Sequence, residues 1–207
     1  MNNQPTITQL PGYRLYEYLL VLSPHEELWK RIRDVKNEFG STYKVPVSQL
    51  TKPHLTLVKF VNRSMMEEKI LHRLQLISMG ITPFKVECKD FGSFPSHSIF
   101  INVTTKLAVQ NLVKEVKAAQ QLMKLNNENK PHFIDEPNFT IAQRLKPWQY
   151  EAGWADYSHR SFTARFIADS MLLLKRTSGE KGSFQIARRF EFQNLPVSTK
   201  QGSLFGG

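Results

Sequence analysis

The sequence predicts a mixed α+β fold in which two antiparallel-rich sheets face a common cleft. Apolar segments of strand length alternate with segments of helical periodicity between residues 13 and 192. A short pattern of proline, polar residue, apolar residue, threonine and apolar residue occurs at residues 53–57 and again at 137–141. The two copies occupy comparable positions in two similar halves, which is compatible with an internal duplication.

The first half contains two units, each a strand followed by a helix. Ser23 and Pro24 open the first helix, because serine can cap a helix and proline fits its first turn. Gly40 and Gly80 each follow an apolar helical repeat and mark where it ends. The predicted elements are a strand at 13–22, a helix at 25–39, a strand at 55–60 and a helix at 64–79.

The second half repeats this alternation of strands and helices. A Gly-Ser-Phe-Pro-Ser segment marks a turn between its first two strands, and the second copy of the pattern begins a later one. The predicted elements are strands at 84–91 and 99–103, a helix at 107–125, a loop at 132–137, a strand at 139–145, a partly helical segment at 147–168 and a closing hairpin of 171–176 with 183–192.

The chain has 207 residues, which is long enough to bury a substantial core. We expect a single domain at 13–192, an N-terminal segment at 1–12 and a loose C-terminal tail at 193–207. No stretch approaches the roughly 18 consecutive apolar residues of a membrane helix, and the amino terminus lacks a signal-peptide pattern. The sequence therefore predicts a soluble protein without a membrane partner, and we expect a monomer.

Charge and cysteine content restrict the partners and the compartment. Lys and Arg number 28 against 18 Asp and Glu, for a net charge of +10. This excess favours polyanions such as RNA, DNA or nucleotide phosphates, and a basic surface without a specific ligand is the alternative. Cys88 is the single cysteine, so an internal disulfide and a four-cysteine zinc site are excluded. A reducing cytoplasm is the expected compartment.

The polar residues of the two patterns suit phosphate chemistry. Side chains alternate along a strand, so His54 and Thr56 point to one face while Leu55 points to the other. A histidine there can transfer a proton at one oxygen of a phosphate while the threonine hydroxyl donates to another. If Asn138 and Thr140 face this pair, four polar groups converge on one anion.

Ordinary structural roles compete with this interpretation. His54 at a strand start can hydrogen-bond to backbone, and Thr56 and Thr140 are residue types that strands favour. The recurrence of the pattern in both halves argues against coincidence. The chain has no glycine-rich loop of the P-loop or dinucleotide type at these strands, so the motifs do not predict ATP or NAD binding.

On these residues the chain resembles the two-histidine (2H) phosphoesterase superfamily, which includes 2′-5′ RNA ligases and 2′,3′-cyclic phosphodiesterases. The resemblance rests on His-Leu-Thr-Leu at 54–57 and the reduced copy Asn-Phe-Thr-Ile at 138–141. Phe-Gly-Ser-Phe-Pro at 91–95 and Ile-Phe-Ile-Asn-Val at 99–103 are similar to the family's middle strand pair. The likeness covers roughly residues 13–192 in the family's order.

The resemblance implies a bilobal fold of pseudo-twofold halves, with two sheets flanked by helices around a central cleft and with no metal or other cofactor. In the family, one motif histidine is the general base and the other the general acid, and the hydroxyl residues hold the phosphate. His54, Thr56 and Thr140 match this pattern, whereas Asn138 stands where the second histidine is expected.

Three explanations of Asn138 compete, since an amide cannot exchange protons as an imidazole does near neutral pH. The site is degenerate and binds phosphate ends with little or no turnover. Alternatively, a nearby group replaces the missing acid, and His132, six residues earlier, is the best candidate, with His97 as another. The third explanation is an asparagine introduced deliberately to trap a ligand.

Further residues are candidates for substrate binding. Arg144 follows the second pattern and is predicted to line the cleft mouth, although the family's arginine position, three residues after Thr140, holds Gln143. His132 lies in the loop before the second pattern, and Phe94 is a candidate for stacking on a base, as are Phe133 and Trp148. Each of these residues also has an ordinary surface or core interpretation.

These observations predict a phosphoesterase-like protein that acts on RNA or nucleotide ends carrying a 2′,3′-cyclic phosphate or a 2′-5′ linkage, with activity impaired by Asn138. Two alternatives remain. A non-catalytic RNA- or nucleotide-binding module would keep the cleft without turnover, and a basic structural protein with coincidental motifs would hold His54 and Asn138 far apart.

Overall fold

The computed structural model describes residue 10, residues 12–47 and residues 52–195, and within these ranges the strands form two antiparallel sheets. In chain order the elements are β1 (Leu15–Leu22), α1 (Glu26–Tyr43), β2 (Leu55–Arg63), α2 (Glu67–Met79), β3 (Phe84–Phe94), β4 (Ser98–Val103), α3 (Lys106–Val116), α4 (Gln120–Met123), β5 (His132–Phe133), β6 (Asn138–Gln143), α5 (Pro147–Tyr157), β7 (Thr163–Ala168), β8 (Ser170–Thr177) and β9 (Gln185–Glu191). The first sheet has the order β5-β2-β1-β8-β9 and the second β6-β4-β3-β7.

Each sheet is covered by helices that come partly from the other half of the sequence. Helices α2, α3 and α4 contact the first sheet, whereas α1 and α5 contact the second. Helix α1 thus follows β1 of the first sheet along the chain but packs on the second sheet. This exchange joins the two lobes, and the predicted two-sheet α+β fold is confirmed.

A β-bulge interrupts strand β2 directly after the first motif threonine. Thr56 is paired with Val21 of β1, but the next paired residue of β2 is Val58, opposite Leu20. Leu57 is therefore an extra residue on β2, and both Leu57 and Val58 are fully buried.

The bulge changes which later side chain of β2 shares a face with Thr56. Lys59 is paired with Leu19, and Leu19 and Val21 lie two residues apart on β1 and thus on one face. Thr56 and Lys59 consequently point to the same side of the first sheet, although strict alternation would separate them.

Strand β6 carries a bulge at the equivalent place. Thr140 is paired with Phe100 and Ala142 with Ile99, so that Ile141 is the extra residue. Gln143 is paired with Ser98, which shares a face of β4 with Phe100, so Thr140 and Gln143 also point to the same side. The burial patterns of residues 55–59 and 139–143 are identical.

The segment before the second motif is not the loop that the sequence predicted. His132 and Phe133 form strand β5 at the edge of the first sheet, where they are paired with Lys59 and Val58. The Ile134 N–H also donates to the Leu57 carbonyl over 3.0 Å. A two-residue strand is too short to leave a periodic pattern in the sequence, so pairing with β2 alone defines it.

Helix α1 continues past Gly40, where the sequence predicted its end, and stops at Tyr43. Lys44 takes a left-handed conformation with φ of 54° and closes the helix instead. A Cβ on Gly40 would lie 2.9 Å from the Val45 carbonyl oxygen and would overlap Val47. Glycine is thus present because the chain beyond the helix packs closely against it.

Two longer segments divide differently from the prediction. The helix predicted at 107–125 is α3, a short 3₁₀ turn and α4, although its apolar residues recur every three or four positions throughout. The partly helical segment at 147–168 is helix α5 followed by strand β7. Strand β7 alternates exposed and buried residues, because one of its faces packs in the core.

The beginning of the predicted loose tail is anchored. The Asn194 N–H donates to the Ile81 carbonyl over 3.0 Å, and the Leu195 N–H donates to the Met79 carbonyl over 2.8 Å. Residues 196–207 of the tail and residues 1–9 and 11 of the N-terminal segment lie outside the described residues. Among the helices that are described, none combines the length and apolarity needed to cross a membrane.

Candidate active site

The four motif side chains line one cleft between the two sheets. His54 and Thr56 reach it from the first sheet, and Asn138 and Thr140 reach it from the second. The cleft has a volume of about 490 Å³, within the size range of ligand sites. The alternative that placed His54 and Asn138 far apart is therefore excluded. The remaining described lining residues are Leu19, Lys36, Phe39, Gly40, Val45, Pro46, Val47, Lys52, Pro53, Lys59, His132, Ile134, Ile141, Ala142 and Gln143.

The His54 ring is held in one tautomer by the backbone. Its Nδ1 lies 2.8 Å from the Lys52 carbonyl oxygen, and because a carbonyl only accepts, Nδ1 carries the hydrogen. In the neutral ring Nε2 then has the free lone pair. The hydrogen bond to backbone that was the ordinary alternative for His54 is present, and it leaves Nε2 available as a base.

The surroundings of His54 favour its neutral form. Partial burial in the cleft is the main reason that its pKa lies below the usual 6.5, and the positive charge of Lys36 lowers it further. The hydrogen bond to the Lys52 carbonyl opposes this shift. Since the net direction is downward, His54 can accept a proton at neutral pH.

Asn138 makes the backbone hydrogen bond that a histidine makes through Nδ1, the ring nitrogen nearer to the main chain. Its Nδ2 donates to the Glu136 carbonyl over 2.9 Å, which is the same two-residue offset that joins His54 to Lys52. Its Oδ1 accepts the Thr140 hydroxyl hydrogen over 3.1 Å. The asparagine thus keeps the backbone anchor, but it has no distal nitrogen that could carry a proton into the cleft.

The cleft carries positive charge suited to an anion. Lys36, Lys52 and Lys59 line it, and none of the described lining residues is acidic. Partial burial lowers the pKa of Lys36, and within the described ranges neither Lys36 nor Lys59 has an acidic partner at ion-pair distance. The described residues also contain no group of three or more His, Cys, Asp or Glu side chains placed to hold a metal ion. The lysines and the motif side chains that line the cleft can bind a phosphate through charge and hydrogen bonds.

Lys59 is a candidate site residue that sequence reasoning missed. It follows Thr56 by three positions, as Gln143 follows Thr140, and the two bulges turn both side chains into the cleft. The halves are thus equivalent in geometry, but the cation lies in the first half. The equal spacing of Lys59 and Gln143 from their threonines was the signal in the sequence that could have identified Lys59. The assumption of strict strand alternation placed both residues on the face opposite to the threonines, so the signal was missed.

His132 lines the cleft, whereas His97 does not. The pairing of His132 with Lys59 places both side chains on the same face of the first sheet, beside Thr56. The His97 Nδ1 instead donates to the Pro95 carbonyl over 2.9 Å in the turn between β3 and β4. Of the two predicted substitutes for the second motif histidine, only His132 is in position.

Two predicted substrate-binding residues are not among the lining residues. Arg144 follows the last residue of β6 with φ of 56°, in the left-handed region, and the bulge gives its expected place in the cleft to Gln143. Phe94 lies at the end of β3 with 36% of its surface exposed. The structure therefore does not bring Arg144 into the lining of the cleft, and its role in substrate binding stays a prediction.

Comparisons with known proteins agree with this architecture. The 2′-5′ RNA ligase superfamily matches residues 24–180. TT0787 of Thermus thermophilus has a similar structure, with a TM-score of 0.62 and 17% identity over 86% of this chain and 98% of that one. E. coli LigT complexed with 3′-AMP gives 0.58 and 12% over the same shares. No curated protein matches the sequence significantly.

The pKa of His54 provides a direct test of this geometry. In an NMR titration of the imidazole Hε1 resonance, we expect a midpoint below 6.5, because partial burial disfavours the charged ring. Lys36→Met should raise this midpoint by removing a nearby positive charge. Lys30→Met, on the same helix but paired with Glu26, is the control and should leave it unchanged. A midpoint above 6.5, or one that Lys36→Met lowers, contradicts this environment for His54.

Proposed function

Because this chain belongs to the 2′-5′ RNA ligase superfamily, we propose that it is a phosphoesterase acting on 2′,3′-cyclic phosphate or 2′-5′-linked ends of RNA or nucleotides. The proposed chemistry is acid–base catalysis without a metal ion. The observation that carries this proposal is the convergence of His54, Thr56, Asn138 and Thr140 on one cation-lined cleft. The proposed compartment is the cytoplasm.

In hydrolysis of a cyclic phosphate, His54 is the base. Its Nε2 accepts a proton from water while the water oxygen forms a bond to phosphorus. The bond between phosphorus and one ribose oxygen breaks, and that oxygen takes up a proton. The lowered pKa of His54 keeps the ring ready to accept the proton at neutral pH.

The hydroxyls and a lysine hold the phosphate during this step. Thr56 and Thr140 donate to its non-bridging oxygens from opposite sheets, and Thr140 exchanges its hydrogen bond to Asn138 for one to the ligand. Lys59 supplies a positive charge, whereas Gln143, at the equivalent position of the second half, is uncharged. Charge-assisted hydrogen bonds of this kind are roughly twice as strong as neutral ones.

Protonation of the leaving ribose oxygen falls to a group other than Asn138. We assign it to His132, which lines the same cleft and is paired with Lys59. Asn138 then donates or accepts hydrogen bonds without transferring a proton. In this proposal both proton-transfer residues come from the first sheet.

The proposed substrate class agrees with the ligands of a structural neighbour. E. coli LigT has been crystallised with 3′-AMP, with phosphate and with ATP. The net charge of +10 and the lysines of the cleft support an anionic ligand for this chain as well. We propose RNA or nucleotides with a phosphate end, bound by a monomer.

Asn138 also favours a second candidate function, a non-catalytic module that binds RNA or nucleotide ends. Its amide keeps the backbone anchor but carries no titratable group into the cleft. Such a module would bind phosphate ends with a steep salt dependence and without turnover.

Replacing His54 tests the catalytic proposal. With adenosine 2′,3′-cyclic phosphate as substrate, His54→Ala should lower the turnover rate about 10²- to 10⁴-fold, because the general base is lost. The rate of the wild type should fall with decreasing pH below 6.5, since protonated His54 cannot act as a base. Product formation is followed by chromatography. His72→Ala, an exposed histidine on α2, is the control and should retain the rate. Turnover that persists in His54→Ala removes the enzymatic proposal.

Replacing Lys59 tests whether this lysine binds the phosphate and whether a lysine at the equivalent position of the second half, residue 143, can take its place. Lys59→Gln should reduce kcat/KM about 10- to 100-fold, the equivalent of one charge-assisted hydrogen bond. Adding Gln143→Lys should recover part of this loss, because the two bulges aim both positions at the cleft. Lys69→Gln, an exposed lysine on α2, is the control. If Lys59→Gln has no more effect than the control, Lys59 does not bind the phosphate.

The role of His132 is tested against a restored second histidine. His132→Gln should lower kcat, since the proton donor is lost. In an Asn138→His background the same change should have little effect, because the new imidazole supplies the proton. His72→Gln, an exposed histidine on α2 that is not among the lining residues of the cleft, is the control. Equal losses in both backgrounds would show that His132 does not replace the second histidine.

A further inference from the structure

An aromatic cluster lies on the hairpin between β3 and β4, outside the lining of the cleft. The Phe94 and Phe100 rings are tilted by 41° with their centroids 4.7 Å apart. The His97 ring is nearly parallel to that of Phe94, at 14° and 6.2 Å. We call these three residues, Phe94, His97 and Phe100, the aromatic shelf.

Strand register connects the aromatic shelf to the candidate phosphate site. Phe100 is directly paired with Thr140 on the neighbouring strand β6. Phe94 is paired with Ser98, which is in turn paired with Gln143. Paired side chains share a sheet face and adjacent strands lie about 4.8 Å apart, so the aromatic shelf begins one strand away from the hydroxyl of Thr140.

The aromatic shelf is not part of the apolar core. Ile99 and Ile101, the neighbours of Phe100 on β4, are fully buried and point to the helices, whereas Phe100 points to the opposite face and is half-buried. Phe94 has 36% of its surface exposed, and His97 is exposed. Packing against helices therefore does not explain why aromatic rings occupy these positions.

Gly92 makes room for the Phe100 ring. The two residues are paired across β3 and β4, and a Cβ on Gly92 would come within 2.6 Å of that ring. The same Cβ would lie 2.5 Å from Oδ1 of Asn102, the residue paired with Asn138. The glycine thus allows the ring and a side-chain amide to lie together over β3, beside the motif strand.

We propose that the aromatic shelf binds the nucleobase of the nucleotide whose phosphate occupies the cleft. The inference rests on the proposed function, because it takes the phosphate position from Thr56 and Thr140. Every base offers a π-face to an aromatic ring, whatever its identity. The aromatic shelf lies at one side of the phosphate site and on the same sheet face, so one nucleotide can contact both. The ligand class is a nucleoside phosphate, and a sugar phosphate lacks the group that the shelf binds.

Equilibrium binding of two probes tests this subsite without relying on turnover. Adenosine 3′-monophosphate and ribose 3-phosphate carry the same phosphate, and only the first has a base. By isothermal titration calorimetry we expect the wild type to bind the nucleotide about 10- to 100-fold more tightly, the range of stacking on one aromatic residue. Phe100→Leu should remove most of this preference by weakening nucleotide binding far more than ribose phosphate binding.

Two further variants make the test independent of folding effects. Phe94→Ser, at an exposed position, should reduce the same preference without lowering the melting temperature. Phe84→Leu, at the far end of β3 and stacked on Phe192, is the matched control and should retain it. Equal affinities of the wild type for the two probes, or an unchanged preference in both Phe100→Leu and Phe94→Ser, overturns the shelf assignment.

Failure of the shelf assignment differs from failure of the proposed function. A protein that prefers the nucleotide but does not hydrolyse adenosine 2′,3′-cyclic phosphate retains the shelf and loses the catalytic proposal. A protein that hydrolyses this substrate but binds both probes equally retains the catalytic proposal and loses the shelf. Absence of binding to both probes together with absence of hydrolysis removes both proposals.

Discussion

The bulge that follows each motif threonine is the constraint on which the candidate site depends. A strand that alternated strictly would point Thr56 and Lys59 to opposite faces, and likewise Thr140 and Gln143. One extra buried residue, Leu57 in β2 and Ile141 in β6, keeps apolar residues in the core while turning the third residue after each threonine into the cleft. Both halves use this device, so the cleft is lined symmetrically by backbone geometry.

Within this symmetric frame, the chemistry of the two halves is asymmetric. The first half contributes an imidazole and an ammonium group at the positions where the second contributes two amides, those of Asn138 and Gln143. Asn138 makes the same kind of backbone contact as His54, so the local structure of β6 does not require a histidine at this position. In the proposed chemistry, the second lobe then serves mainly to hold the ligand and the first to transfer protons.

The exchange of helices between the lobes explains how two sheets hold one site in register. Helix α1 begins after β1 of the first sheet, packs on β6 of the second and contributes Lys36 to the cleft. Its C-terminal end passes close to the chain at Val45 and Val47, where Gly40 permits the contact. The cleft is therefore bounded by both sheets and by the helix that follows β1 and packs on β6, and a shift of either sheet would displace a motif strand.

The sequence by itself determined the four motif residues and most of the strands and helices, with β5 and β7 as the exceptions, because periodicity and residue type are local properties. His54, Thr56, Asn138 and Thr140 were found by their repeated spacing, and the structure brings them together. Strand β5, the place of Lys59 in the cleft and the exclusion of Arg144 were decided by pairing between strands distant in sequence. A bulge is set by the register between two neighbouring strands, and the two adjacent apolar residues of a motif strand do not show by themselves which of them is the extra one. Only the tertiary structure could therefore fix the faces that the cleft presents.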